Sequence, residues 1–179
     1  MTQRLTQQPA KLALALFLGS ESVFFFMLLV AFVIFRGVGV KEAADNLSLP
    51  TAAISTFFLL ACAGSVSQAA RVARATNGNA RTWLAVAILL ALGFMLTQGS
   101  ETFQLLRHGV TISHSQFGTT FFTLTEVYAV HVVIGTCLLG VMVWKAKERE
   151  TIQLAATFWL FLAAVWIAIF SVVYLWTFL

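Results

Sequence analysis

Charge is scarce in this chain. Lys, Arg, Asp and Glu make up 10% of its 179 residues, hydrophobic residues make up 60%, and the mean hydropathy is +0.90. Soluble domains carry about a quarter of their residues charged. So little charge excludes a water-covered globule, and it points to the bilayer, where helices satisfy the backbone internally. Proline is nearly absent, with two residues, and glycine numbers 11, so long uninterrupted helices are allowed. There are only two cysteines, Cys62 and Cys137, both inside apolar runs. They read as plain core residues, not as a disulfide, and leave the redox compartment open. The net charge of +4 is not a nucleic-acid signal, because the cations sit in short stretches between apolar runs. No basic patch with interleaved aromatics lies outside those runs, so no nucleic-acid partner is expected.

What the chain does have is five long apolar runs, roughly 12–35, 51–70, 82–106, 119–144 and 152–178. Each reaches the ~20 residues a helix needs to cross the hydrocarbon core. The first is too long for a signal peptide's apolar region, and no clear small-x-small cleavage site follows it. The second is diluted by Ser55, Ser65, Ser67 and Gln68. Its Ala61, Ala63, Gly64 and Ala69 suit close packing against neighbouring helices. The connections are short, with no room for a separate soluble domain, no repeat and no low-complexity segment. The predicted class is an all-α, polytopic membrane bundle of five helices forming one unit over 1–179.

The cations predict the orientation. Arg4, Lys11, Arg71, Arg74, Arg81, Lys145, Lys147 and Arg149 fall on one side, and Arg36, Lys41 and Arg107 on the other. The positive-inside rule then puts the N-terminus in the cytoplasm and the C-terminus outside. Trp83, Trp144 and Trp176 lie near span ends, as interfacial aromatics do.

Four ionisable groups fall within the spans: Glu21, Glu101, Glu126 and His131. Such groups are costly in hydrocarbon and are functional candidates by default. At about 1.5 Å rise per residue, Glu21 lies ~14 Å past Leu12, near mid-membrane, as does His131. Glu101 and Glu126 both lie within roughly 10 Å of the outer ends of their helices. Depth therefore pairs Glu21 with His131, and Glu101 with Glu126. They read either as a proton or ion route or as interhelical hydrogen-bond glue, with Ser20, Ser22, Gln98 and Ser100 as local partners. His108 and His114 fall in the outer connection and are expected to be solvated. His131 is expected to be a hydrogen-bonded packing residue, not a metal ligand.

Several motifs carry a resemblance. Ser20-Glu21-x-x-Phe24-Phe25, running on to Phe32-Val33-Ile34-Phe35-Arg36, resembles the haem–copper oxidase subunit III span that bears a buried glutamate. Leu49-Pro50-Thr51, then Ser55-Thr56-Phe57-x-Leu59-Leu60, is similar to the start of the next family helix. Gln98-Gly99-Ser100-Glu101-Thr102-Phe103 resembles the family's Gln-Ala-x-Glu-Tyr-Tyr/Phe. Phe117-Gly118-Thr119-Thr120-Phe121-Phe122, then His131-Val132-Val133-Ile134-Gly135-Thr136, resembles Tyr-Gly-Ser-Thr-Phe-Phe…His-Val-Ile-Ile-Gly at the same spacing. The ending Val165-Trp166-Ile167-x-x-Phe170-x-Val172-Val173-Tyr174-Leu175 is similar to the last family helix. Two of the family's motifs are altered. The family's Gly-x-His-x-x-His reads Glu126-Val127-Tyr128-Ala129-Val130-His131. Trp-His-Phe-x-Asp-x-Val-Trp reads Trp159-Leu160-Phe161-Leu162-Ala163-Ala164-Val165-Trp166, without its His and without its Asp.

The resemblance implies the five-helix form, found in bacterial quinol oxidases and some bacterial cytochrome c oxidases. It implies packing on catalytic subunit I and other oxidase subunits, in the bacterial inner membrane. It implies phospholipid in a cleft between helices, support for subunit I stability and proton uptake, and the family's buried glutamate at Glu21. Haem and copper are expected in partner subunits. Two haems and a copper take about six histidines, and this chain has three; its two cysteines lie on different helices. No catalytic residue, cofactor site or metal site is therefore expected in the chain. Arg36, Arg71, Arg74 and Arg107 flank spans and are candidates for holding lipid head groups. Two alternatives remain: a subunit III homologue associated with nitric oxide reductase, and a small transporter using Glu21, Glu101, Glu126 and His131 as a relay. Against a transporter, there is no inverted repeat.

Overall fold

The computed structural model describes residues 2–35, 47–75, 79–108, 116–145 and 149–175. Arg36, Lys41, His114, Lys147 and Trp176 lie outside them. Among the described residues there are five helices long and apolar enough to cross a membrane. They are α1 (Thr2–Phe35), α2 (Leu49–Arg74), α3 (Ala80–Arg107), α4 (Gln116–Lys145) and α5 (Arg149–Phe170), the last running into a π-helical turn, Ser171–Leu175. The chain is thus an all-α, multi-pass membrane bundle.

Helices α2, α3 and α4 extend beyond their apolar runs at both ends, while α1 and α5 begin before theirs and the last residues of the fifth run lie outside the described ones. In α1, Pro9 lies near the start, two turns from Thr2, and the membrane-length segment is Pro9–Phe35. Pro50 opens α2 at a position where the missing N–H is no loss. The π-helical turn has no signature in the hydropathy pattern.

Packing does not follow chain order. Helix α2 packs most extensively on α3 and also on α5, while α1 lies against α4 and α5. The α2–α3 contact is close because its surfaces are small. Ala63, Ala69 and Ala70 of α2 are buried, as are Ala87 and Ala91 of α3. The approach lets side chains reach across to backbone: Ser65 Oγ donates to Trp83 O at 2.8 Å, and Cys62 Sγ to Ala87 O at 3.2 Å. Gly93 is held here by Phe58, whose ring would lie 3.0 Å from an added Cβ. The expected small stripe on α2 is only partly used. Gly64 is exposed, and the buried face is set by Cys62, Ala63, Val66 and Ala69.

Aromatic rings fill the middle of the bundle. Trp166 of α5 meets Phe94 of α3 edge-on at 4.9 Å and Tyr128 of α4 at 5.0 Å. Tyr128 in turn meets Phe25 of α1 at 6.1 Å. The indole N–H of Trp166 donates to Thr56 Oγ1 of α2 at 2.8 Å. One cluster therefore touches all five helices, and its polar atoms are paired, as burial in an apolar medium requires.

Candidate functional site

Glu21 lies on the α1 stripe that includes Phe25 and Phe32, the residues α1 buries. His131 lies on α4, three residues beyond buried Tyr128. Phe25 packs edge-on against His131 with ring centroids 5.2 Å apart. The packing of these apolar stripes brings the two polar groups together: His131 Nε2 lies 3.1 Å from Glu21 Oε2. Their side chains are 14% and 18% exposed, so both are largely withdrawn from the surroundings.

The other ring nitrogen settles the hydrogen-bond roles. His131 Nδ1 lies 2.8 Å from Val127 O, and a carbonyl only accepts, so Nδ1 carries a proton. Two states of the pair satisfy Nε2. Either a protonated Glu21 donates to the Nε2 lone pair, or an imidazolium donates to the Glu21 carboxylate. Both contain one proton between Oε2 and Nε2, and it can pass from one to the other without moving a heavy atom.

The pair faces a cavity of about 500 Å³ between α1, α4 and α5. Apart from Thr151 its other walls are apolar, including Phe17, Ile134, Phe158 and Trp159, and it extends toward Leu14 and Met142. Gly135 keeps α4 and α5 close beside it: an added Cβ would lie 3.1 Å from Phe158 and 3.2 Å from Trp159.

The second expected pair does not form. Glu101 of α3 is buried, accepts from Tyr174 Oη at 2.8 Å, and has the Ser48 backbone N–H within reach of its carboxyl. Glu126 stands on the exposed flank of α4, about 100° around the helix from buried Thr125 and about 160° from buried Tyr128. Equal depth did not decide the contact, because helix rotation points the two carboxyls in different directions. A relay through all four ionisable groups is not assembled among the described residues.

The expected local partners are also otherwise engaged. Ser20, Ser22 and Ser100 donate to Phe17 O, Leu18 O and Thr97 O of their own helices. Gln98 is buried one turn from Glu101, with its amide beside the Tyr174 hydroxyl. The Glu101 partner, Tyr174, was missed by depth and motif alike, since it sits in the π-helical turn. Cys137 is exposed and not a core residue, whereas Cys62 is buried. His108 is exposed, as expected.

Of the arginine candidates, Arg71 and Arg74 line a second cleft of about 430 Å³ with Lys11, Ser67, Gln153 and Thr157. Arg107 lies elsewhere, its guanidinium 4.6 Å from the centre of the Phe103 ring. Arg36 lies outside the described residues. No group of three or more His, Cys, Asp or Glu among the described residues has metal-site geometry.

The family profile described as cytochrome c oxidase subunit III matches residues 2–178. The chain belongs to the cytochrome c oxidase subunit III family. Cytochrome c oxidase subunit 3 of Corynebacterium diphtheriae is 31% identical over 173 residues, which cover 88% of this chain and 83% of that protein. The Bacillus subtilis cytochrome c oxidase subunit 3 is 29% identical, covering 89% and 83%. The cytochrome bo(3) ubiquinol oxidase subunit 3 of Pseudomonas aeruginosa is 30% identical, covering 81% and 73%. As a terminal-oxidase subunit III, the chain is one subunit among others in an oxidase complex.

Within this subunit III, Tyr128 bonds to the backbone next to another departure from the family motifs. Tyr128, at a family histidine position, donates its hydroxyl to Leu162 O at 2.9 Å. Leu162 adjoins Ala163, at the family aspartate position. The α4–α5 contact here is thus a buried tyrosine on a backbone carbonyl, with no ionisable pair.

Proposed function

We propose that this chain is the non-redox accessory subunit III of a haem–copper terminal oxidase, packed on catalytic subunit I in the bacterial cytoplasmic membrane. In this reading the N-terminus is cytoplasmic, and haem and copper belong to partner subunits. The Glu21–His131 pair holds a transferable proton at mid-membrane, and through it the subunit supports proton uptake and the working lifetime of subunit I. The contact at 3.1 Å, made by groups on separate helices beside an apolar cavity, supports this reading. Helix glue alone needs no shared proton, and neutral side chains supply it at less desolvation cost.

The test is Glu21→Gln in the assembled complex. The amide keeps the shape and a hydrogen bond to Nε2 but cannot pass a proton. The reading expects slower proton uptake or a shorter working lifetime with normal assembly; unchanged uptake, pumping and lifetime would leave only a structural role.

The same reading includes bound phospholipid. Lys11, Arg71 and Arg74 gather at one end of the bundle with hydroxyls of Ser67 and Thr157 above apolar Leu154 and Leu160. That combination suits an anionic head group with its chains running into the membrane.

A further inference from the structure

Glu126 poses a problem that the bundle itself does not solve. Its membrane-length segment is Gly118–Trp144, with His131 at the midpoint. Glu126 is five residues from that midpoint, so about 7.5 Å from mid-membrane. Half the hydrocarbon thickness is ~15 Å, which leaves the carboxyl well inside and too far for its short side chain to reach the interface. Yet its side chain is exposed, and among the described residues it has neither a hydrogen bond nor an ion pair. Lipid tails cannot satisfy it.

Helices α1, α3 and α5 pack on other faces of α4, and Ile134, Leu138 and Val141 beside the Glu126 face are exposed as well. Along the Glu126 face, Thr123, Val130, Val133 and Cys137 are also exposed. They recur at the three- and four-residue spacing that faces one neighbouring helix, and none is a Leu, Met or Phe. The outer face of α3 differs, carrying Leu89, Leu92 and Leu96 as a lipid-facing surface does.

We propose that the Glu126 face of α4 docks on a transmembrane helix of another subunit of the oxidase, and that this helix presents a Lys, Arg or His side chain to the Glu126 carboxylate. Charge complementarity selects the occupant. A carboxylate stays ionised at this depth only when a cation offsets its desolvation, and a basic side chain on a neighbouring helix is the partner that does so. A second copy meeting face to face would bring two like carboxylates together, which is unfavourable. The inference rests on membership of an oxidase complex, and it is independent of the proton role given to Glu21.

The test uses the intact complex in native membranes. A photo-crosslinking residue at Val133 is expected to trap a transmembrane segment of another subunit, with a basic residue within one turn of the cross-link. The same probe at Leu92 is expected to trap lipid. Glu126→Lys is expected to weaken retention of this chain in the purified complex on the order of thirtyfold. Glu126→Gln, which preserves shape, is expected to weaken it less but measurably. Changing the partner's cation to Glu should restore the Glu126→Lys variant. Should the lysine variant fail to accumulate, the cross-link and the glutamine variant decide. Cross-links from Val133 to lipid alone, to a second copy, or to a segment without a basic residue overturn the proposal. So does wild-type retention of both variants. Glu21→Gln should leave retention unchanged, which separates this proposal from the proton reading.

Discussion

Glu21 Oε2 and His131 Nε2 lie 3.1 Å apart although 110 residues separate them in the chain. Neither group is placed by a local motif. Each rides on an apolar stripe, and Phe25, which packs on both Tyr128 and the His131 ring, sets the rotation of α1 against α4.

The pair separates shape from proton chemistry. Glu21→Gln should unfold in detergent within about 0.5 kcal/mol of wild type, because a single intramembrane hydrogen bond contributes little and here is conserved. Glu21→Ala should lose about 1–3 kcal/mol by leaving Nε2 without its partner beside a new gap. Reversible denaturation in mixed micelles measures both. Equal loss for the two variants would mean that the carboxylate charge itself stabilises the fold.

Tyr174 and Glu101 should be coupled energetically. Tyr174→Phe leaves a buried carboxyl without its hydroxyl donor, and a loss of about 1–3 kcal/mol is expected. A double-mutant cycle with Glu101→Gln should return a coupling of roughly 0.6–2 kcal/mol. Additive effects would show that the 2.8 Å contact carries no stability.

Two glycines of α4 should respond in opposite ways. Gly135→Val collides with Phe158 and Trp159, so α4 and α5 must part, costing about 1–3 kcal/mol in the isolated chain. Gly140 has nothing within 4 Å of an added Cβ, and Gly140→Ala should leave the isolated chain unchanged or slightly more stable. Thermal denaturation of the two variants side by side makes the comparison.

The basic cleft predicts a lipid phenotype. Replacing Lys11, Arg71 and Arg74 together by Gln should deplete anionic phospholipid from the purified chain, as read by native mass spectrometry, while Arg107→Gln should not. Arg107 is exposed and stacked on Phe103, away from the cleft. Equal lipid content in both variants would assign the three cations to topology alone.

Depth along each helix was legible in the sequence, because a helix advances by a constant rise and the apolar runs mark where it enters and leaves the membrane. That is why depth alone pairs Glu21 with His131. The same logic misled at Glu101 and Glu126. Depth says nothing of azimuth, and in a chain apolar on nearly every face the hydrophobic pattern cannot tell a neighbour helix from lipid. Tyr174 was hidden for another reason, since the π-helical turn changes the rotation per residue and no local composition announces it.

The sequence by itself determined the solvent, the number of spans and the chemical inventory of this protein. Those depend on composition and run length, which each segment carries independently of the others. The tertiary structure alone decided which polar groups meet. It placed α1 against α4 and α5, turned Glu101 to Tyr174, and left Glu126 facing outward. The reason is physical: in hydrocarbon, helices are matched by the shape and spacing of their small and aromatic residues. That match is a property of pairs of surfaces, which a single run of residues does not contain.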